Sequence, residues 1–204
     1  MSDIDIINEF EDTIAKYASS KYGIAVSSCT NAIFLSLHYL KWLGVIKNGD
    51  TITIPKQTYM SVPMTLINLG FKVKFVDVKW SGMYRLHPTP VYDSATRFTK
   101  DMYVKDSLYC LSFQYRKHLP IGRGGMILTD SKQASDWLRS ARFNGRTEGK
   151  SQADDEFIIR GWNMYMMPEQ AARGLTLFSI LPDKNKDCAN WNDYPDMSTQ
   201  NIFK

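Results

Sequence analysis

Residues 111–125 read LSFQYRKHLPIGRGG, and this stretch decides the predicted fold. An apolar and aromatic run over 107–113 predicts a strand, the closing glycine pair predicts a turn, and an apolar run over 126–129 predicts a second strand. Lys117 lies between the two strands, where a lysine is costly unless it is paired, deprotonated or chemically used. Imine formation with a carbonyl cofactor is the use that best fits this position. The alternative is a solvated surface charge, which is what most of the 25 Lys and Arg residues are expected to be.

Short apolar runs alternate with helical patterns along the rest of the chain. Helical spacing of apolar residues predicts helices over 4–20, 32–43, 61–69, 132–143 and 168–180, and strand-like runs cover 24–26, 51–54, 71–78 and 91–93. Residues 79–90 and 144–155 are predicted to be loops, and residues 182–204 a C-terminal tail. This alternation predicts a single α/β domain over residues 1–204, a three-layer α/β/α sandwich with a mainly parallel sheet. In such sheets, ligands bind at the carboxyl ends of the strands.

The composition is that of one soluble domain. The 204 residues are 44% hydrophobic and 13% aromatic, which is enough for a sizeable core. The net charge is +4 and the basic residues are scattered, so we expect no nucleic-acid partner. No apolar run approaches the length of a membrane span, and the acidic N-terminus lacks the apolar core of a signal peptide, so we expect a cytoplasmic protein with no membrane partner. The three cysteines match no zinc pattern, and no metal site is predicted.

Polar side chains follow three of the predicted strands. Thr30 and Asn31 belong to SSCTNA (27–32), which opens a helix and is either a phosphate-binding turn or an ordinary N-cap. Tyr59 follows the second strand and either stacks on a planar ring or simply packs. Asp93 ends a later strand, and a buried carboxylate requires a cationic or donor partner. That partner is either a protonated ring nitrogen or a helix N-terminus.

With Ser112 and Lys117, these residues supply an anion cradle, a ring stacker, a carboxylate for a ring nitrogen and an amine for an aldehyde. Pyridoxal 5′-phosphate (PLP) requires this set of groups. A Rossmann-type nucleotide enzyme fits worse, because no Gly-x-Gly-x-x-Gly pattern follows the first strand and the glycine-rich residues 122–125 fall between later strands.

The order of these motifs resembles the DegT/DnrJ/EryC1/StrS family of sugar aminotransferases, which are fold type I PLP enzymes. The resemblance runs from residue 7 to residue 175, with gaps. The most specific match is SFQYRK (112–117) with the glycine pair at 124–125, which resembles the family's SFxxxK…GEGG at the same spacing. Weaker matches are SSCTNA (27–32) to SGTAAL, TIPKQTY (53–59) to VPSFTF, FVDV (75–78) to VFVDV, VYDSAT (91–96) to IEDAAQ, and residues 161–172 to GYNYRMSELQAA.

The resemblance implies roles around the cofactor ring. Lys117 is the expected Schiff-base lysine, and Asp93 is expected to pair with the pyridinium nitrogen. Tyr59 is expected to stack on the ring, and Thr96 stands where the family has a residue that touches the ring hydroxyl. A dehydratase branch of the family has histidine at the lysine position, but the spacing from the serine and from the glycine pair places Lys117 there, not His118.

The resemblance also implies how the cofactor phosphate is held. Thr30, Asn31 and Ser112 are expected to bind it within one chain. Asn163 stands where the family reaches the phosphate of the neighbouring subunit, so a homodimer with shared active sites is expected.

The implied function is a PLP-dependent aminotransferase of polysaccharide biosynthesis. It would move an amino group from glutamate to the keto carbon of a nucleotide-linked sugar of the 4-keto-6-deoxyhexose type, with pyridoxamine phosphate as the amino-carrying form. The alternative is a catalytically reduced PLP-binding or scaffold homologue without transaminase turnover. The chain resembles a shortened member: we expect it to lack the C-terminal small domain and one strand of the sheet between Asp77 and Asp93. Arg123 replaces the glutamate of GEGG and Tyr165 replaces the arginine of the last motif, changes expected to affect substrate recognition.

Overall fold

The computed structural model describes residues 3–203, in which helices and strands alternate up to residue 76, after which further strands follow one another before the next helix begins at residue 132. The helices are α1 (Asp3–Ala18), α2 (Cys29–Trp42), α3 (Ser61–Asn68), α4 (Lys132–Arg142) and α5 (Pro168–Phe178). The strands are β1 (Tyr22–Val26), β2 (Thr51–Pro55), β3 (Lys72–Val76), β4 (Tyr84–Arg85), β5 (Val91–Asp93), β6 (Leu108–Ser112) and β7 (Gly125–Thr129). Within these residues, no helix has the length and apolar character that a membrane span requires.

The strands form a mixed sheet. Five of them follow the order β1-β7-β6-β5-β4, and β2 pairs in parallel with β3. The β7 strand is antiparallel to β1 and β6, and β4 is antiparallel to β5, whereas β5 and β6 are parallel. Thr53 of β2 bridges His87 in the antiparallel sense, with N···O distances of 2.7 and 3.0 Å, which continues the sheet towards β2 and β3. Within the described residues, all strands except β4 and β7 therefore run in one direction.

The prediction of a mainly parallel sheet is thus right for strand direction but wrong for pairing, because β5–β6 is the one parallel pair in the five-stranded sheet of residues 3–203. A parallel neighbour requires a crossover connection, usually a helix. The 113–124 connection between β6 and β7 contains no helix, and residues 86–90 between β4 and β5 are too few for one. The 79–90 segment is likewise not only a loop: it contains β4, in which Tyr84 is buried and Arg85 is exposed.

The core has two halves, one on each face of the sheet. Successive residues of β1 alternate between them: Ile24 and Val26 pack with α2, α3 and α4, whereas Ala25 packs with α1 and α5. In β6, Cys110 likewise faces α2 while its neighbours face α1. This alternation with period two makes the three-layer sandwich that the sequence predicts, since each strand buries both faces.

A buried ion network ties the N-terminal helix to the end of α4. The Glu11 carboxylate is buried. Its Oε1 atom accepts a hydrogen bond from the Ala25 N–H (2.7 Å) and contacts Arg142. Its Oε2 atom lies 2.5 Å from a guanidinium nitrogen of Arg139. The buried Arg142 guanidinium also donates to Glu148 in the loop after α4, with N···O distances of 2.6 and 3.1 Å. Because each charge has an opposite partner, the network can be buried without an unpaired ion.

The predicted tail, residues 182–203, lies along the molecule and contains three short 3-10 turns, Trp191–Asp193, Met197–Thr199 and Asn201–Phe203. Its backbone bonds to the segment before β4 and to the residue after β2: Trp191 donates to the Trp80 carbonyl (3.0 Å), and Met197 donates to the Lys56 carbonyl (2.8 Å). We refer to residues 182–203 as the C-terminal segment. It borders the cavity described next.

Candidate active site

A cavity of about 490 Å³ opens where β5 and β6 end and α2 begins. Of the eight predicted site residues, six line it: Thr30, Tyr59, Asp93, Thr96, Ser112 and Lys117. The other two, Asn31 and Asn163, are not among its lining residues. The cavity therefore lies at the carboxyl ends of strands, which is where ligands bind in such sheets.

Asp93 ends β5 and is buried, with 6% of its surface exposed. One carboxylate oxygen accepts a hydrogen bond from the Tyr84 hydroxyl (2.8 Å) and the other accepts one from the Ala95 N–H (3.0 Å). Burial raises the pKa of Asp93, whereas these two donors and the Lys117 charge oppose that rise. Within residues 3–203, no cationic side chain forms an ion pair with this carboxylate, so its donors are neutral. A protonated ring nitrogen would supply the missing charge.

Tyr84 joins Asp93 to the turn after β2. Its hydroxyl contacts both the Asp93 carboxylate and the Thr58 hydroxyl, and all three groups are buried. Burial and the negative charge of Asp93 hold the pKa of Tyr84 well above its usual value, so the phenol stays protonated and can donate. The chain Thr58–Tyr84–Asp93, whose three members all line the cavity, therefore fixes the orientation of the carboxylate.

Lys117 stands on the 113–124 connection between β6 and β7. Its backbone N–H donates to the Gln114 carbonyl (2.8 Å), which closes a turn and directs the residue to the cavity. Among the described residues, its ammonium group makes no hydrogen bond or ion pair. Its charge acts on Asp93 and on Cys29, because it opposes the rise in the pKa of both groups. An amine held near a buried carboxylate, and free of other partners, is suited to covalent bonding with a carbonyl group.

The glycine pair after Lys117 has a steric reason. A Cβ on Gly125 would lie 2.4 Å from the backbone carbon of Ser28 and 2.5 Å from the nitrogen of Cys29. Gly124 has a φ of +151°, and its Cβ would lie 2.8 Å from the end of the Met166 side chain. The first turn of α2 can therefore approach β7 closely only because residue 125 lacks a side chain.

The N-terminus of α2 forms the polar end of the cavity. Ser28 caps the helix by accepting a hydrogen bond from the Asn31 N–H (3.1 Å), and the Thr30 hydroxyl donates to Ser61 (2.9 Å) at the start of α3. The Asn31 amide turns to Ser27 (2.7 Å), away from the lining of the cavity. The remaining backbone N–H groups of the first turn of α2, together with the hydroxyls of Ser28 and Thr30, suit the binding of a phosphate.

Three other predicted residues differ in how directly they reach the cavity. Tyr59 lies at its mouth with 55% of its surface exposed, so one ring face is available for stacking. The Thr96 hydroxyl is shared between the carbonyls of Gly82 (3.0 Å) and Ala189 (3.2 Å), so it holds the C-terminal segment rather than standing free. Asn163 is exposed and pairs with Phe143 beyond α4, outside the cavity of a single chain.

Several lining residues were not predicted from the sequence. They are Cys29, Thr58, Trp80, Tyr84, Arg116 and Tyr194. Arg123, which the sequence analysis expects to affect substrate recognition, also lines the cavity. No periodic signal marks Tyr84, because its strand has only two residues. Tyr194 had no such signal, because the C-terminal segment has no periodicity.

The cavity fits the predicted cofactor. Its volume lies in the range of small-molecule sites, and it combines an amine, a buried carboxylate with neutral donors, an aromatic ring and a helix N-terminus. Across residues 3–203, no cluster of three or more His, Cys, Asp or Glu side chains could hold a metal ion.

Comparison with known proteins finds one family whose model matches most of the chain. The model of the DegT/DnrJ/EryC1/StrS aminotransferase family matches residues 4–104 and 100–190. The spore coat polysaccharide biosynthesis protein SpsC of Bacillus subtilis (strain 168) is 25% identical, over 88% of this chain and 58% of its own. The GDP-4-keto-6-deoxy-D-mannose 3-dehydratase of Yersinia pseudotuberculosis is 20% identical, over 86% of this chain and 60% of its own. The chain thus spans about three fifths of the length of these relatives.

Solved structures show the same fold. A GDP-4-keto-6-deoxymannose-3-dehydratase with bound GDP-perosamine superposes with a TM-score of 0.71 at 20% identity, over 87% of this chain and 61% of that one. The same kind of dehydratase with a trapped PLP–glutamate geminal diamine gives a TM-score of 0.69 at 20% identity, again over 87% and 61%. The neighbours are PLP enzymes of fold type I, which confirms the predicted fold class.

Proposed function

Because the chain belongs to the DegT/DnrJ/EryC1/StrS aminotransferase family, we propose that it is a PLP-dependent sugar aminotransferase. The proposed reaction moves an amino group from glutamate to the keto carbon of a nucleotide-linked 4-keto-6-deoxyhexose. PLP is the cofactor, as the sequence predicts, and it occurs in solved neighbours of this chain. The single observation that carries the proposal is the placement of the Lys117 amine and the buried Asp93 carboxylate on one cavity, at the positions of the family's motifs.

When bound, PLP supplies an aldehyde that bonds to amines and a protonated ring that accepts electrons. Lys117 would hold that aldehyde through its Nζ atom, and the same amine, when free, would carry a proton to and from the substrate carbon. Asp93 would keep the ring nitrogen protonated, since a carboxylate paired with a cation stabilises the charged form. Tyr84 keeps that carboxylate in place by its 2.8 Å hydrogen bond.

The phosphate is assigned to the polar end of the cavity. The first turn of α2, with Thr30, faces Ser112 across the close approach that Gly125 permits. Asn31 is left out of this assignment, because its side chain bonds to Ser27 and its backbone N–H bonds to Ser28. Two guanidinium groups, Arg116 and Arg123, line the same cavity and favour substrates that carry negative charge.

Absorbance spectroscopy tests the reaction. Purified protein is loaded with PLP, and spectra are recorded before and after addition of glutamate, and again after addition of GDP-4-keto-6-deoxy-D-mannose. The proposal expects glutamate to convert the lysine-bound form into the pyridoxamine form, and the keto sugar to reverse the change. Loading without any response to glutamate would favour the alternative, a PLP-binding homologue without turnover. Conversion of the sugar without incorporation of the glutamate nitrogen into the sugar product would indicate dehydration instead.

A homodimer with shared sites accounts for the position of Asn163, which is exposed and outside the cavity of its own chain. The test mixes the Lys117→Ala and Asn163→Ala variants under conditions that exchange subunits. A hybrid dimer has one site with both native residues, so the mixture is expected to regain glutamate-dependent conversion that neither variant shows alone. A monomer by light scattering, or a mixture no better than its components, would contradict the shared site.

A further inference from the structure

The C-terminal segment forms one wall of the candidate active site. Tyr194 lines the cavity together with Trp80, and the two rings are stacked with their centroids 5.6 Å apart. Trp80 is fixed in turn, because its indole N–H donates to the Gln57 carbonyl (2.9 Å) and its ring packs on Tyr84 at 4.9 Å. The family model matches the chain only to residue 190, so Tyr194 lies beyond the matched region.

The segment is held on both sides of Tyr194. Before it, Asp187 receives two hydrogen bonds from Arg97 (2.9 and 2.7 Å) and one from Ser81 (2.9 Å). The Arg97 guanidinium holds the pKa of Asp187 below its usual range, so the clamp is charged at neutral pH. Gly82 makes room for it: a Cβ there would lie 2.3 Å from the Asp187 carboxylate.

After Tyr194, the segment is fixed to the residue that follows β2. Lys56 pairs with Asp196 (3.5 Å), its carbonyl accepts the Met197 N–H (2.8 Å), and the Met197 side chain is buried. With anchors at residues 187–191 and 196–197, the ring of Tyr194 has a defined position at the cavity.

The Tyr194 hydroxyl is available to a ligand. It makes no hydrogen bond to any other residue of the described chain, whereas the buried Tyr84 hydroxyl makes two. Burial, and then the negative charge of Asp93, raise the pKa of Tyr194 to about 12, so the phenol retains its proton at neutral pH. Tyr194 and Asp93 line the same cavity. An aromatic wall with one free donor suits a ring that has an apolar C–H face and hydroxyl groups at its edge.

We propose that Tyr194 contacts the hexose of the substrate and donates a hydrogen bond to a sugar oxygen, while its ring and that of Trp80 cover the apolar face of the sugar. Asp187 positions Tyr194 by anchoring the C-terminal segment. This inference rests on the proposed function and adds to it a specificity-determining residue outside the family's matched motifs. The sugar, rather than the cofactor, is the partner because the cofactor's ring, nitrogen, aldehyde and phosphate are already assigned to Tyr59, Asp93, Lys117 and the α2 N-terminus.

Calorimetry of the PLP-loaded protein tests the inference. The probes are GDP-perosamine and the corresponding UDP- and dTDP-linked 4-amino-6-deoxyhexoses. Tyr194→Phe removes only the hydroxyl and is expected to weaken binding of the preferred probe about five- to tenfold, the value of one net hydrogen bond. Its PLP affinity and its conversion by glutamate are expected to remain those of the wild type. Tyr22→Phe, at the start of β1 and far from the cavity lining, is the matched control.

Asp187→Asn tests the positioning role. It is expected to weaken sugar binding without changing PLP affinity. The double variant Asp187→Asn with Tyr194→Phe is expected to bind the sugar probe as tightly as whichever single variant has the lower affinity, since both changes remove the same contact. The control is Asp183→Asn, which lies on the same C-terminal segment and removes an exposed ion pair with Lys100.

The outcomes separate the two proposals. If the wild type fails to load PLP or to respond to glutamate, the proposed function is wrong. If it does both, and Tyr194→Phe binds the probe as tightly as the wild type does, then the inference about Tyr194 is wrong and the proposed function stands. If the wild type responds to glutamate but binds none of the probes, both the inference and the proposed sugar substrate are wrong.

Discussion

Replacement of Glu11 by Gln should destabilise this protein more than any other single charge removal on α1. The carboxylate is fully buried and faces Arg139 and Arg142, and Arg142 is itself only 2% exposed at its side chain. Glutamine keeps the shape and still accepts the Ala25 N–H, so the change isolates the charge.

The magnitude follows from what remains around Arg142. Removing one partner of a buried ion pair costs about 3–5 kcal/mol, because the other charge is left without compensation. Here Glu148 still accepts two hydrogen bonds from Arg142, so the lower end of that range applies. For a chain of this size, about 3 kcal/mol corresponds to a decrease in Tm of roughly 6–12 °C.

Urea unfolding followed by circular dichroism measures the effect, with equal m-values as the condition for comparison. Glu9→Gln, an exposed residue of the same helix, is the control and should stay within about 0.5 kcal/mol of the wild type. The double variant Glu11→Gln with Arg142→Met should recover part of the loss, since no buried charge is then orphaned at that position. A loss below about 1 kcal/mol for Glu11→Gln alone would refute the view that this network holds α1 to α4.

Three further predictions concern a histidine of α2 and two positions beside the cavity. Burial and the Lys41 charge lower the pKa of His38 to about 4, so as the pH falls from 6.5 to 4 the unfolded chain takes up a proton before the folded chain does. The free energy of unfolding should therefore decrease over this pH range, and chemical denaturation at each pH should show a smaller decrease for His38→Gln. Tyr84→Phe removes a donor from Asp93 and should weaken PLP binding measured by titration, whereas Tyr92→Phe should not. Gly125→Ala should abolish PLP binding and lower Tm, because its Cβ would collide with the backbone of the first turn of α2.

The sequence predicts those site residues that lie close to one another along the chain or at the end of a recognisable strand. Lys117, Ser112 and the glycine pair lie within fourteen positions of one another, on two strands joined by one connection. Asp93 ends a strand whose apolar pattern is visible in the sequence. These residues reach the cavity because strand ends in one sheet share an edge, so a correct list of strands is sufficient to bring them together.

The remaining part depends on contacts between distant positions. Arg97 and Asp187 are 90 residues apart, and Thr96 and Ala189 are 93 apart, and neither pair follows from periodicity or composition. The 79–90 segment was read as a loop because its β4 strand has only two residues, too few for an alternating pattern. Tyr84 is placed by the pairing of this short strand with β5, whereas Tyr194 is placed by stacking on Trp80, which is distant in the sequence, so neither residue follows from periodicity.

The central claim is that Lys117 is the residue that bonds to PLP. The most direct measurement is borohydride reduction of the protein incubated with one equivalent of PLP, followed by peptide mass spectrometry, with Lys117→Ala as the control. We expect one pyridoxyl group per chain, attached to the peptide that contains Lys117, and we expect this label to be absent from the Lys117→Ala variant. Attachment of the reduced cofactor to a different lysine, or no attachment while Lys117 is intact, would contradict it.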